Sequence, residues 1–154
     1  MRQLWLDCDG VLADFDKGFM EEFGYSANML PFDKKKWEEI EAIDGFFENL
    51  EVREGAYDLL NAVIKLRPII LTGTPNGDWA TPQKLRWRNK HFPSIPMVTC
   101  KSVNKKDYCW HGDILVDDWT RYRDNWQSAG GIFIHHTETP ETLVKLREIG
   151  VHIK

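Results

Sequence analysis

The segment LWLDCDG (residues 4–10) is the most informative part of the sequence, because a short apolar run is followed directly by an acidic turn. Gln3–Asp7 has the length and apolar character of a buried β-strand. Asp7 and Asp9 then stand where the strand becomes a loop, two residues apart, so both side chains can face one cavity. Gly10 permits the backbone conformation by which the chain turns away from them. The segment therefore predicts a strand whose carboxyl end presents two carboxylates.

The rest of the chain alternates between short apolar runs and segments with the residue spacing of an amphipathic helix. Helices are predicted at Ala56–Leu66 and Lys84–His91, and a last one has Thr139 as its N-cap and Pro140 at its first position. The further strands are predicted at Pro68–Thr72, Pro96–Cys100, Asp113–Asp117 and Gly131–His135. Such alternation predicts an α/β fold with a doubly wound, Rossmann-like parallel sheet of five strands.

One interval breaks the alternation. The stretch between the first strand and the Ala56 helix is far longer than a crossover needs. It contains two segments with helical character, Phe15–Phe23 and Lys34–Ile43. We therefore expect residues 14–54 to form a small helical cap inserted after the first strand. Residues 1–13 and 55–154 would then form the catalytic core.

Composition narrows the class of protein. The 154 residues are within the usual size of one domain, and no apolar run is long enough to span a bilayer. The N-terminal MRQLWLDCDG reaches acidic residues too soon for a secretory signal, and three cysteines fit a reducing cytoplasm better than a disulfide framework. A net charge of −4 disfavours a nucleic-acid partner, because there is no general basic field to grip a backbone. A homodimer is left open.

Polar residues follow three of the predicted strands. Besides Asp7 and Asp9, the second strand ends in Thr72-Gly73-Thr74 and the fourth in Asp117-Asp118. Carboxyl ends of parallel strands meet at one edge of the sheet, where ligands bind. A purely structural interpretation makes Asp9 part of a turn and Asp117 a helix cap. This interpretation accounts for each acidic pair alone, but not for the presence of both pairs at one edge of the sheet. Carboxylates this close repel each other unless a cation lies between them, and oxygen ligands alone suit Mg²⁺.

This donor set indicates phosphoryl chemistry. Asp7 is expected to attack phosphorus, and Asp9 to protonate the leaving alcohol and later to take a proton from the attacking water. The phosphate oxygens would be bound by Thr72 and by the backbone N–H groups of Gly73 and Thr74. A lysine from residues 101–108 would stabilise the transferring phosphoryl group. Lys105 is the first choice for that lysine, ahead of Lys106 and Lys101.

Four motifs carry a family resemblance. They are DCDGVLADF (residues 7–15), LTGTP (71–75), NKKDY (104–108) and DILVDD (113–118). Together and in this order they resemble the haloacid-dehalogenase-like hydrolases. DCDGVLADFDKGF (7–19), followed by WEEIEAIDGFFENLEVREGA (37–56), is similar to the 5′(3′)-deoxyribonucleotidases.

The resemblance implies a role for each matching residue. Asp7 corresponds to the nucleophile and Asp9 to the acid/base. The implied metal ligands are Asp7, the Asp9 carbonyl and the acidic pair Asp117–Asp118, of which the second acid is the better match. Thr72 corresponds to the phosphate-binding hydroxyl and Lys105 to the lysine. Phe15 and Trp37 correspond to the rings that lie over the nucleobase.

The expected function is a Mg²⁺-dependent phosphatase that acts through an aspartyl-phosphate, with a nucleoside monophosphate as substrate. Dehalogenation is disfavoured, because a departing halide needs no proton and Asp9 would have no task. The alternatives are a phosphatase of nucleic-acid ends or sugar phosphates and a non-catalytic binding module with the same fold.

Overall fold

A computed structural model describes residues 2–29 and 32–153. Its centre is one sheet of five parallel strands in the order β3-β2-β1-β4-β5, which confirms the predicted fold. The strands are β1 (Leu4–Leu6), β2 (Ile69–Gly73), β3 (Met97–Cys100), β4 (Ile114–Asp117) and β5 (Ile132–His135). Because β1 has β2 on one side and β4 on the other, the strand order reverses there, and the carboxyl end of β1 opens into the crevice.

Six α-helices connect and cover the strands within the described residues. They are α1 (Phe15–Phe23), α2 (Lys34–Glu41), α3 (Ala56–Val63), α4 (Ala80–His91), α5 (Arg123–Ser128) and α6 (Thr139–Glu148), with 3-10 turns at Ala27–Met29, Ile64–Leu66 and Ser102–Tyr108. None of these described helices has the length and apolarity to cross a membrane.

Two helix starts differ from the sequence prediction. Helix α4 begins at Ala80 rather than Lys84, because Pro82 lies in the first turn, where a missing N–H does no harm. The N-cap of α6 is Glu138, so the prediction of Thr139 was wrong. The Thr139 hydroxyl instead donates to the Gly55 carbonyl at 2.7 Å.

The strands are buried on both faces of the sheet. Leu4 and Leu6 of β1 belong to one hydrophobic cluster, whereas Trp5 between them belongs to a second one with Trp126 of α5. This alternation follows from the two-residue period of a strand. The core is thus two layers of side chains that fix the position of the strand ends.

Residues 14–54 pack onto the larger of these two clusters. Phe19 of α1 and Ile40 of α2 are fully buried in it together with Leu6. Helix α4 also fastens the end of this segment, since the Gln83 side chain accepts a hydrogen bond from the Phe47 N–H at 2.9 Å. The Trp87 indole donates to the Leu50 carbonyl at 2.8 Å. The division into a core and a separate cap stays a prediction.

Candidate active site

The register of the sheet brings the acidic residues together. Leu6 of β1 is paired with Val116 of β4, so Asp7, directly after β1, lies beside Asp117, the last residue of β4. Oxygen atoms of Asp7, Asp117 and Asp118 all lie within 4.8 Å of one another. The structure therefore places three of the four sequence-predicted metal ligands in one cluster.

Lys105 is the lysine that reaches this cluster. Its ammonium group donates to Asp7 Oδ1 and to Asp117 Oδ2, both at 2.9 Å, and its side chain is buried. Burial lowers the pKa of Lys105, but the two carboxylates outweigh burial and raise it well above its usual range. The neighbouring Lys106, the second choice for this lysine and a candidate to bind substrate, is exposed and lies outside the described lining of the cleft.

The charges of the cluster fit a divalent cation. Burial and the charge of Asp117 raise the pKa of Asp7 to about 6, even though Lys105 opposes them. Desolvation by the surrounding protein atoms and the charges of Asp7 and Asp117 raise the pKa of Asp118, although this residue remains exposed to the cleft. Three carboxylates and one ammonium leave an excess negative charge surrounded by oxygen donors, which is the environment of a hard divalent ion.

Asp118 is better placed than Asp117 to contact such an ion. Both Asp117 oxygens have protein donors, Lys105 on one and the Trp119 N–H at 3.0 Å on the other. Asp118 lies against Gly10, whose missing side chain makes room for it: a Cβ at Gly10 would stand 1.9 Å from Asp118 Oδ2. Gly10 also has a positive φ of 83°, as the turn requires.

Asp9 is held by a second buried lysine that sequence reasoning missed. Lys84 of α4 is 2% exposed, and its ammonium donates to Asp9 Oδ2 at 2.7 Å, Thr72 Oγ1 at 2.8 Å and the Gly73 carbonyl at 3.0 Å. The other oxygen, Asp9 Oδ1, is buried and has no hydrogen-bond partner among the described residues, although Asp9 lines the cleft. Burial raises the pKa of Asp9 above its usual value, although the charge of Lys84 opposes this rise. One oxygen is thus anchored while the other is free to carry a proton.

The residues at the carboxyl end of β2 differ in part from expectation. Gly73 and Thr74 line the cleft, but the Thr74 N–H donates to the Cys100 carbonyl at 2.8 Å. This N–H is therefore already engaged and does not serve as the expected phosphate donor. Thr72 is fully buried, and its hydroxyl accepts from Lys84.

The acidic cluster lies in a cleft of 760 Å³ that residues 14–54 partly cover. That segment contributes aromatic side chains to the lining: Phe15, Phe32, Trp37 and Phe47. Phe32 contacts both Phe15 and Trp37, with ring centroids 5.9 and 5.0 Å apart. The two rings predicted to lie near a base, Phe15 and Trp37, are thus in the same cleft as the carboxylates, and the cleft has the size of typical small-molecule sites.

Comparison with known proteins agrees with this arrangement. The model of one protein family, described as 5′ nucleotidase, deoxy (pyrimidine), cytosolic type C protein, matches residues 2–143. No curated protein sequence matches the chain significantly.

Several solved structures share the fold. A phosphonoacetaldehyde hydrolase-like protein from Oleispira antarctica superimposes with a TM-score of 0.55 at 12% identity, over 98% of this chain and 86% of that one. A hydrolase from Streptococcus pneumoniae gives 0.53 at 15% identity, over 96% and 97%. A haloacid-dehalogenase family hydrolase from Deinococcus radiodurans, with bound phosphate and sodium, gives 0.50 at 12%, over 98% and 89%.

Proposed function

Because the chain belongs to the family of 5′ nucleotidase, deoxy (pyrimidine), cytosolic type C proteins, we propose that it hydrolyses nucleoside monophosphates with the help of Mg²⁺. The family makes the chain a phosphatase of the haloacid-dehalogenase type, which confirms the resemblance of its motifs. The observation that supports this particular chemistry is the pair Asp7 and Asp9, each held by its own buried lysine.

The reaction proceeds in two steps. Asp7 forms a bond to phosphorus while the bond from phosphorus to the ester oxygen breaks, and Asp9 gives its proton to the departing alkoxide. Water then attacks the aspartyl-phosphate, Asp9 takes a proton from that water, and inorganic phosphate leaves. Lys105 holds the Asp7 carboxylate and offsets its charge as the phosphate approaches.

Mg²⁺ would be held by Asp7 and Asp118, with the Asp9 carbonyl as a further ligand and Asp117 supporting Lys105. Bound there, it supplies positive charge for the phosphate oxygens. The nucleoside part of the substrate would lie against Phe15 and Trp37, since stacking on aromatic rings suits any planar base.

A substrate panel tests this proposal. Deoxyribonucleoside and ribonucleoside monophosphates, sugar phosphates and end-phosphorylated oligonucleotides are compared for phosphate release with Mg²⁺ and with EDTA. We expect nucleoside monophosphates to be the preferred class and EDTA to stop their turnover. Asp7→Asn should abolish turnover with the fold intact, as seen by circular dichroism. Equal turnover by Asp7→Asn, or unchanged turnover in EDTA, would overturn the mechanism, and failure on the whole panel would overturn the function.

A further inference from the structure

A second aromatic surface lies directly after the acidic pair. It consists of Trp119, Arg121 and Tyr122, which we call the Trp119 platform. The rings of Trp119 and Tyr122 meet edge to face with centroids 5.6 Å apart. The Arg121 guanidinium carbon is 5.6 Å from the Trp119 ring and 5.5 Å from the Tyr122 ring. Two rings and one cation thus form a single surface unit.

The Trp119 platform belongs to the catalytic cleft but not to the ring group of residues 14–54. All three of its residues line the cleft together with Asp7 and Asp118. No ring contact among the described residues joins it to Phe15, Phe32 or Trp37. The described lining of the cleft therefore contains two groups of rings that do not contact each other.

The chemistry of the platform indicates what it binds. Trp119 is 50% exposed, so a planar group placed on it would remove a large apolar area from water. Arg121 makes no ion pair within the described part of the chain, although the protein carries a net charge of −4. An aromatic ring beside an unpaired guanidinium is the combination by which proteins bind single-stranded nucleotides, through the base and the neighbouring phosphate.

We propose that the Trp119 platform is a subsite for a second nucleotide, so that the substrate class includes short oligonucleotides with a terminal phosphate. The terminal nucleotide would lie against Phe15 and Trp37, the next base would stack on Trp119, and the phosphodiester between them would meet Arg121. This inference rests on the proposed function and extends it by one nucleotide. A single added nucleotide needs only this local cation, not the general basic field that the net charge excludes for long polymers.

The test compares three substrates: thymidine 5′-monophosphate, the 5′-phosphorylated thymidine dinucleotide, and thymidine 3′,5′-bisphosphate, which adds charge without a second base. We expect the wild-type kcat/KM for the dinucleotide to equal or exceed that for the monophosphate. Trp119→Ala should lower kcat/KM for the dinucleotide roughly 5- to 160-fold more than for the monophosphate, the range that corresponds to stacking of one base. Trp119→Phe, which keeps a ring, should restore most of this preference.

A matched control is Trp110→Ala, because Trp110 is 79% exposed and is absent from the described lining of the cleft. Equal losses on both nucleotides in Trp119→Ala would overturn the inference, since the ring would then serve the first base. A bisphosphate hydrolysed as well as the dinucleotide by the wild type, with equal losses on both substrates in Trp119→Ala, would also overturn it, because charge rather than a second base would then explain the preference. Hydrolysis of the monophosphate alone would refute only the second subsite. Hydrolysis of none of the three would refute the proposed function itself.

Discussion

Replacing Lys84 by Met should impair the proton donation by Asp9 more than the other steps of the reaction. Methionine keeps the unbranched side chain but removes the ammonium that donates to Asp9, Thr72 and Gly73 at 2.7 to 3.0 Å. Asp9 then loses the donor to its Oδ2, while its Oδ1 already has no partner in the described structure. Removing one member of a buried ion pair typically costs about 3–5 kcal/mol of stability, so Lys84→Met should unfold at a lower denaturant concentration.

The effect on catalysis should depend on the leaving group. General acid catalysis contributes about 10²- to 10⁴-fold, and a nucleoside alkoxide needs it because it is a strong base. Nitrophenolate leaves without a proton, so hydrolysis of p-nitrophenyl phosphate should lose much less. The assay is kcat for both esters in the wild type and in Lys84→Met, and the ratio of the two losses is the measured quantity.

Two controls make the result interpretable. Lys36→Met removes another buried lysine, which has Glu39 as its acidic partner at 2.5 Å, from α2 rather than from the neighbourhood of Asp9. It should lower stability without changing the ratio between the two esters. In the Asp9→Asn background, Lys84→Met should have little further effect on the nucleotide. If Lys84→Met is folded and loses the same factor on both esters, Lys84 does not act through Asp9 and the reasoning is refuted.

Three further predictions follow from single features. Gly10→Ala should weaken Mg²⁺ binding, as measured by calorimetry, and abolish turnover, because its Cβ would displace the Asp118 carboxylate. The control is Gly24→Ala, because Gly24 also has a positive φ, of 77°, but a Cβ there would have nothing within 4 Å. This control should lose only stability, on the order of 1–3 kcal/mol, through backbone strain. Retained Mg²⁺ affinity in Gly10→Ala would contradict the role given to Gly10. His136, buried and bonded to the Thr142 hydroxyl at 2.7 Å, has its pKa lowered from 6.5 to about 4, mainly by burial. The unfolded chain then binds the proton more tightly, so stability falls as the pH drops below 6.5 and the loss is complete near 4. Between pH 7 and pH 4, the free energy of unfolding of the wild type should fall by about 2–3 kcal/mol more than that of His136→Gln, as denaturant titrations would show. Equal decreases in the two proteins would contradict this prediction. Finally, Cys8 is buried whereas Cys100 and Cys109 are partly exposed, so a thiol reagent should modify Cys100 and Cys109 in the native protein and Cys8 only after unfolding, as peptide mass spectrometry would show.

The sequence was sufficient to predict the strands and the acidic cluster, because both depend on local pattern. Each apolar run is bounded by polar residues or Pro. Because Leu6 pairs with Val116, the residues that follow them, Asp7 and Asp117, are neighbours at the same edge of the sheet. Lys105 was one of three candidate lysines, and only tertiary structure distinguishes it from the exposed Lys106.

The sequence prediction missed Lys84 because it began the helix at this residue rather than at Ala80. When the helix begins at Ala80, the buried positions are Ala80, Gln83, Lys84 and Trp87, which is the spacing of one helix face. Pro82 is the signal that allows this earlier start, since proline is favoured in a first turn. The engaged N–H of Thr74 had no such signal, because its acceptor, the Cys100 carbonyl, comes from a different strand.

Aromatic side chains of residues 14–54 belong to the same hydrophobic cluster as the sheet, since Phe19 and Phe47 are members of it together with Leu6 and Val116. Unfolding of residues 14–54 would expose the apolar side chains of the sheet that they cover, so both parts should unfold in a single cooperative transition. A shortened chain without residues 14–54 would present these apolar side chains to water and should aggregate.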